Sequence, residues 1–303
     1  MSALTRLDHV LKDAATIQID RDSRIVLFSD VHRNDRSWAD DFAPNQLLYY
    51  HALRRYYDQG FTYIELGDGD ELWETRLFEV IRRAYGHIYE LLHDFYAAGR
   101  LFLLFGNHDM QWQDPHLVER LMTSYYDERY GIERPLFPGI RVHEGLVLDA
   151  SDLGGKLFLI HGHQAEAMVD GMWTLRMLMV RHLWRHLQLL GIPDPTSPAQ
   201  RRDKQKRVER RIAEWIARTG QAVICGHTHR PRLATPDELP YFNTGSCVHP
   251  RGITAIEILE GCLQLVKWEL APDSAGYLKV TEYVMAGPYA LEAYFQPKPK
   301  PHA

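Results

Sequence analysis

Five short apolar runs, each ending in residues that bind metals, constrain this chain more than any other feature. Ile25-Val26-Leu27-Phe28 runs into Ser29-Asp30-Val31-His32, and Tyr63-Ile64-Glu65-Leu66 runs into Gly67-Asp68. Leu101 to Phe105 runs into Gly106-Asn107-His108-Asp109, and Leu157 to Ile160 runs into His161-Gly162-His163. Val223-Ile224-Cys225 ends in Gly226-His227-Thr228-His229. Apolar runs of this length read as strands buried on both faces. A neighbouring glycine lets several of them turn sharply. Five strand ends thus bring Asp, Asn and His to one edge of a sheet, where an open α/β sheet binds its ligand.

The segments between these runs fit that picture. Residues 3–16 read as a short helix, Pro44 to Asp58 as an amphipathic helix stopped by Gly60, and Arg76 to Ala98 as another stopped by Gly99. Strand and helix alternate, so βαβ units and a mostly parallel sheet are expected. Pro115 opens a further helix. Ile140–Asp149 and Lys156–Ile160 flank a polar, glycine-rich turn and read as a hairpin. Beyond His229 the chain is rich in strand-forming residues as far as Val284. Residues 164–219 read as a helical insertion, with Trp173, Met177, Val180, Trp184 and Leu187 in a stripe at helical spacing. That stripe is expected to be a substrate cap or, preferably, a homodimer interface. The proline-rich end, 288–303, reads as a tail on a single domain covering 1–303.

With a net charge of −5 the chain is no general nucleic-acid binder. No run approaches the length of a membrane span, and the first residues lack the apolar core of a secretory signal. Three cysteines in no ligand spacing point to a reducing, cytoplasmic setting. The basic run Arg201–Arg211 reads as a solvated helix face, with an anionic substrate or membrane surface as its alternative partner.

The clusters offer carboxylate, imidazole and amide donors without thiolate, which suits Mn²⁺, Fe²⁺ or Zn²⁺ rather than a structural thiolate zinc. Asp30, His32, Asp68, Asn107, His161, His227 and His229 are too many donors for one tetrahedral ion. Two ions sharing a carboxylate, about 3.5–4 Å apart, is the economical reading, and the task of such a pair is phosphoester hydrolysis.

The ordered set Asp30-x-His32, Gly67-Asp68, Gly106-Asn107-His108-Asp109, His161 and Gly226-His227-x-His229 resembles the calcineurin-like metallophosphoesterases. The resemblance implies an α/β fold, a four-layer αββα sandwich with the metals between strand ends. It implies that Asp30, His32 and His229 hold one ion, that Asn107, His161 and His227 hold the other, and that Asp68 bridges them. It places His108 near the leaving group, with Asp109 orienting it. Attack on phosphorus would come from metal-activated hydroxide, with Mn²⁺ the first choice of metal. Within the family, Gly67 to Trp73 and Gly226 to Pro231 look like the UDP-diacylglucosamine pyrophosphatase branch, although that branch usually has Arg where His108 stands.

The expected substrate is a small phosphodiester or pyrophosphate-linked molecule. The alternatives are a nuclease with the same core, a phosphomonoesterase or protein phosphatase, and a metal-stabilised scaffold. Asp70 and Glu71 read as structural hydrogen-bonding groups. His163, Arg230 and Asn243 are weaker candidates for touching substrate.

Overall fold

The structure, a computed structural model, describes residues 2–166 and 202–296. In it the apolar runs are buried strands whose successive residues enter different cores. In β2 (Ile25–Phe28), Ile25 and Leu27 face one core while Val26 and Phe28 face another. The same split divides β9 (Gly155–Ile160) and β10 (Ala222–Cys225): Leu157, Leu159 and Ile224 point to one core, and Phe158, Ile160 and Val223 to the other. A period of two on strands with no solvated face requires apolar residues nearly throughout, the exception being Glu65, which is buried against Arg33.

Two sheets result. The seven-stranded one runs β15 (Leu278–Ala290), β14 (Cys262–Pro272), β13 (Ile253–Leu259), β2, β3 (Thr62–Leu66), β4 (Leu101–Leu104), β7 (Val142–His143). It is parallel from β2 to β7 and antiparallel from β13 outward. The six-stranded one runs β1 (Ala15–Gln18), β8 (Gly145–Ala150), β9, β10, β12 (Tyr241–Asn243), β11 (Arg232–Leu233). Leu27, Ile64, Leu104, Leu148, Leu159, Ile224 and Ile256 fill the core between them.

Helices cover the outer faces. On the seven-stranded sheet lie α2 (Gln46–Asp58), α3 (Phe78–Ala84) and α4 (Gly86–Ala97). On the six-stranded sheet lie α1 (Ala3–Asp13) and α6 (Arg202–Thr219), the latter burying Val208, Ile212, Trp215 and Ile216. The order helix, sheet, sheet, helix is the expected four-layer sandwich. Two short helices complete those among the described residues, α5 (Pro115–Met122) and α7 (Glu292–Phe295). None of the described helices is long and apolar enough to cross a membrane.

Several expectations change. The helix expected over 76–98 is broken at Tyr85, whose ring is fully buried. Val142–His143 does not belong to the hairpin: it pairs with β4, and the chain then crosses to the other sheet, where β8 and β9 form the antiparallel pair. The edge strand β1 and a small hairpin, β5 (Ser124–Asp127) with β6 (Ile132–Pro135), were not expected. The last part of the expected insertion, α6, is a layer of the sandwich and the crossover between the parallel strands β9 and β10. The Trp173–Leu187 stripe, and with it the cap or dimer interface, lies outside the described residues, as do 297–303 of the expected tail; its first part is instead built into the fold, with β15 running to Ala290 and Leu291 and Tyr294 buried around α7.

Far from the ligand clusters, Glu257 of β13 and Glu282 of β15 both meet the hydroxyl of Tyr56. Burial, and then the Glu257 carboxylate, push Glu282 up to about 7 from an ordinary 4.5. The folded chain therefore holds a proton that the unfolded chain has released between these values. This contribution to stability falls as pH rises through that window. Replacing Glu282 by Gln should raise the melting temperature relative to wild type at pH 8 and do so less at pH 5. An equal shift at both would contradict the assignment.

Candidate metal centre

The expected ligands come from both sheets, not one. Asp30 and His32 follow β2, Asp68 follows β3 and Asn107 follows β4, all in the seven-stranded sheet. His161 follows β9, and His227 and His229 follow β10, in the six-stranded sheet. The two sheets present these ends to each other, and backbone bonds join the loops: Asp30 N to Gly67 O at 3.1 Å, His32 N to Asp68 O at 2.9 Å, and Gly226 N to His161 O at 2.9 Å. Across the sheets, His227 N donates to Asp30 Oδ2 at 2.8 Å.

The turning is done by the ligands themselves. Asp30, His32, Asp68, His227 and His229 all have left-handed backbone, with φ between 51° and 67°. Asp and His tolerate this region better than most residues, but it costs about 1–3 kcal/mol each where nothing compensates. Such strain at a strand end aims each side chain across the gap. Gly226 serves closeness instead: a Cβ there would lie 2.2 Å from Ser29 Oγ and 2.5 Å from Asp30 Oδ2.

Among the described residues three groups of potential ligand atoms form, each within 4.8 Å: Asp30, His32 and His229; Asp68, His161 and His227; and His32, Glu71 and His108. Asp68 belongs to the second and faces His32 of the first. Its Oδ2 is 3.1 Å from His161 Nε2 and 3.9 Å from His32 Nε2, while its Oδ1 accepts from His108 N at 2.8 Å. His161 Nδ1 donates to Leu66 O at 2.8 Å, so Nε2 is the atom it turns to the Asp68 carboxylate. At that separation the contact is closed by a proton on Nε2 or by a metal ion that takes the proton's place. Asp30 Oδ1, His32 Nε2, Asn107 Oδ1 and His161 Nε2 are buried with no hydrogen-bond partner among the described residues. These atoms, oxygen and imidazole nitrogen only, fit divalent ions of the Mn²⁺, Fe²⁺ or Zn²⁺ kind.

The electrostatics are those of an intermixed carboxylate–imidazole cluster. Burial raises Asp30, but the neighbouring His229 and His161 outweigh it and hold the carboxyl well below its usual range. Burial disfavours a charged His161, and the Asp68 and Asp30 carboxylates reverse this, lifting it to about 9. Glu71 is drawn down to about 2, against burial, chiefly by His108. His108 rises to about 10, against burial, beside Glu71 and Asp68.

Not every expected role fits its residue. Asp109 does not orient His108. Its carboxylate accepts from the backbone N–H of Gly106 at 2.6 Å, Gly69 at 2.8 Å, Asp68 at 3.3 Å and Asp70 at 3.4 Å. It ties the loop after β3 to the loop after β4. Asn243 is fully buried, its amide donating to Gly226 O at 2.7 Å and its oxygen accepting from Gly245 N at 2.9 Å, so it braces the turn and faces no substrate. His163 is 2% exposed, 5.5 Å from the His161 ring, and burial holds it well below the usual histidine range. A neutral, enclosed ring makes a poor phosphate clamp. Arg230 is exposed, with Glu209 3.5 Å away.

The residue the sequence undervalued is Glu71. Its carboxylate accepts from His32 Nδ1 at 2.8 Å and from His108 Nδ1 at 2.7–2.9 Å. The indole of Trp73 stacks on His108, 4.4 Å between centroids and 20° between planes. The available signal was an acid and an aromatic shortly after the bridging carboxylate, in a segment too polar to be a strand.

Residues 23–231 match the family model described as calcineurin-like phosphoesterase. Among solved structures, the chain is similar to the cold-active protein-tyrosine phosphatase of a psychrophile Shewanella species. The identity is 15% and the TM-score 0.39, with 82% of this chain and 78% of that chain covered. A further structure of a cold-active protein tyrosine phosphatase, at 1.1 Å, is similar at 16% identity and a TM-score of 0.37, with 82% and 77% covered. No curated protein matches the sequence at a significant level.

If the bare atoms are ligands, a divalent ion such as Mn²⁺ at about a hundred times its Kd should stabilise the fold by about 2.7 kcal/mol. Asp68→Asn should lose most of that gain in thermal unfolding. No gain in the wild type would contradict the assignment.

Proposed function

The chain belongs to the calcineurin-like phosphoesterase family, and from that premise we propose a hydrolase with a two-ion centre, most suited to Mn²⁺, that cleaves a phosphodiester or pyrophosphate bond in a small molecule. The observation that carries this reading is Asp68, which groups with His161 and His227 and also faces His32 of the Asp30–His32–His229 group, each group drawing on both sheets. Asp30, His32 and His229 would hold one ion, Asn107, His161 and His227 the other, and Asp68 both. When bound, such ions lower the pKa of water and neutralise charge on phosphoryl oxygens.

The chain's own contribution is placement. Asp109 and the backbone N–H groups it gathers fix where Asp68 and Asn107 stand. His108 is anchored through Nδ1 on Glu71 and held flat by Trp73, which leaves Nε2 as the atom that can give a proton to the leaving oxygen. Direct attack of water on phosphorus then needs no covalent enzyme intermediate. A pyrophosphate-linked substrate is favoured by the resemblance of the Gly67–Trp73 and Gly226–Pro231 segments to the pyrophosphatase branch.

His108→Ala tests the reading. The variant should keep its metals and lose about 10²–10⁴-fold in kcat on an alkyl phosphodiester, the range for a general acid. With p-nitrophenolate as leaving group the loss should shrink, since that oxygen needs little protonation. An equal loss on both substrates would show that His108 acts on the phosphoryl oxygens instead. No metal-dependent turnover by the wild type would sink the hydrolase.

A further inference from the structure

One carboxylate holds two imidazoles that have different tasks. An ionised Glu71 is an acceptor only, so the hydrogen in each contact belongs to the ring. His32 and His108 therefore both carry hydrogen at Nδ1 and turn Nε2 away from Glu71. For His32 that direction is toward Asp30 Oδ1 and Asp68 Oδ2, each 3.9 Å from its Nε2. The two rings meet edge to face at 4.7 Å, too close to be set independently.

Glu71 is itself fixed from below. Its N–H donates to Arg33 O at 2.9 Å and its carbonyl accepts from Thr75 N at 3.2 Å. Arg33 is buried, bidentate to Glu65 at 2.7 Å through both terminal nitrogens, with its Nε on Asp70 Oδ1 at 2.9 Å. A planar guanidinium bonded through all three of its nitrogens leaves the backbone at Arg33 little freedom, and Glu71 inherits that rigidity.

We propose that Glu71 is a positioning residue that sets the ion ligand His32 and the proton donor His108 together, so that the hold on the first ion and the orientation of the proton donor are linked through one side chain. The assignment rests on the hydrolase reading for the task of His108. A carboxylate behind a ligating histidine fixes its ring and raises its basicity, and losing such a partner costs about 10–100-fold in metal affinity. Here the same group also holds the acid.

The test is Glu71→Gln, which keeps the size of the side chain. Its single carbonyl oxygen can accept from only one ring, and its NH₂ requires a bare Nδ1 on the other. Because His32 needs Nε2 free for the ion, the ring that changes should be His108. In zinc-loaded protein labelled with ¹⁵N-histidine, His108 should lose its Nδ1 hydrogen and pass to the neutral Nε2–H form, while His32 keeps its Nδ1 hydrogen. Competition with a chelator should show one of two ions weakened 10–100-fold and the other unchanged. Both rings keeping Nδ1–H, with both affinities as in wild type, would overturn the proposal. If the Gln variant does not fold, Glu71→Asp carries the same two readings: it keeps the charge but, one methylene shorter, reaches only one ring. Should the wild type hydrolyse no phosphoester while Glu71→Gln still shows both changes, the hydrolase reading fails and the role of Glu71 stands.

Discussion

Buried carboxylates and imidazoles that face one another organise this molecule. Asp30 and Asp68 are enclosed with the Nε2 atoms of His229 and His161, at separations near 3 Å. Placing such groups in a dry pocket is costly unless a cation compensates them. Five of the candidate ligands are held in left-handed backbone to reach this arrangement, which only a rigid surround can sustain. The two sheets supply it. Each strand before a ligand loop is packed on both faces, so the strand ends cannot retreat from one another.

A second tier of buried polar groups carries that rigidity into the loops. The Arg33–Glu65–Asp70 cluster ties the loop after β2 to the loop after β3, with Tyr89 under the guanidinium. Asp109 ties the loop after β3 to the loop after β4. Asn243 ties the strand end of β12 to the turn after β10. Removing one partner from a buried pair of the Arg33–Glu65 kind costs about 3–5 kcal/mol, because the other charge is left unpaired. The cluster thus fixes geometry as much as it stabilises the fold.

That these residues gather at one place could be read from the sequence because metal chemistry admits few residue types, and buried strands deliver them after long apolar runs. The four layers followed from strand–helix alternation together with the family resemblance. What escaped were roles decided by three-dimensional proximity alone. Val142–His143 is an apolar–polar pair like many others, and only its register with β4 assigns it to a sheet. β1 is half exposed at an edge and carries no strong alternation. Asp109 stands beside His108 in sequence, yet its carboxylate turns to the backbone, while Glu71, distant in sequence, reaches the ring. Neither direction is encoded in spacing.

The central claim is that Asp68 is shared by two ions, one held mainly by each sheet. Anomalous scattering from crystals of the Mn²⁺-loaded protein measures this directly. The account predicts two peaks about 3.5–4 Å apart, both touching Asp68, one within ligand distance of Asp30, His32 and His229 and the other of Asn107, His161 and His227. A single peak at full loading, or a pair that Asp68 does not join, would contradict it.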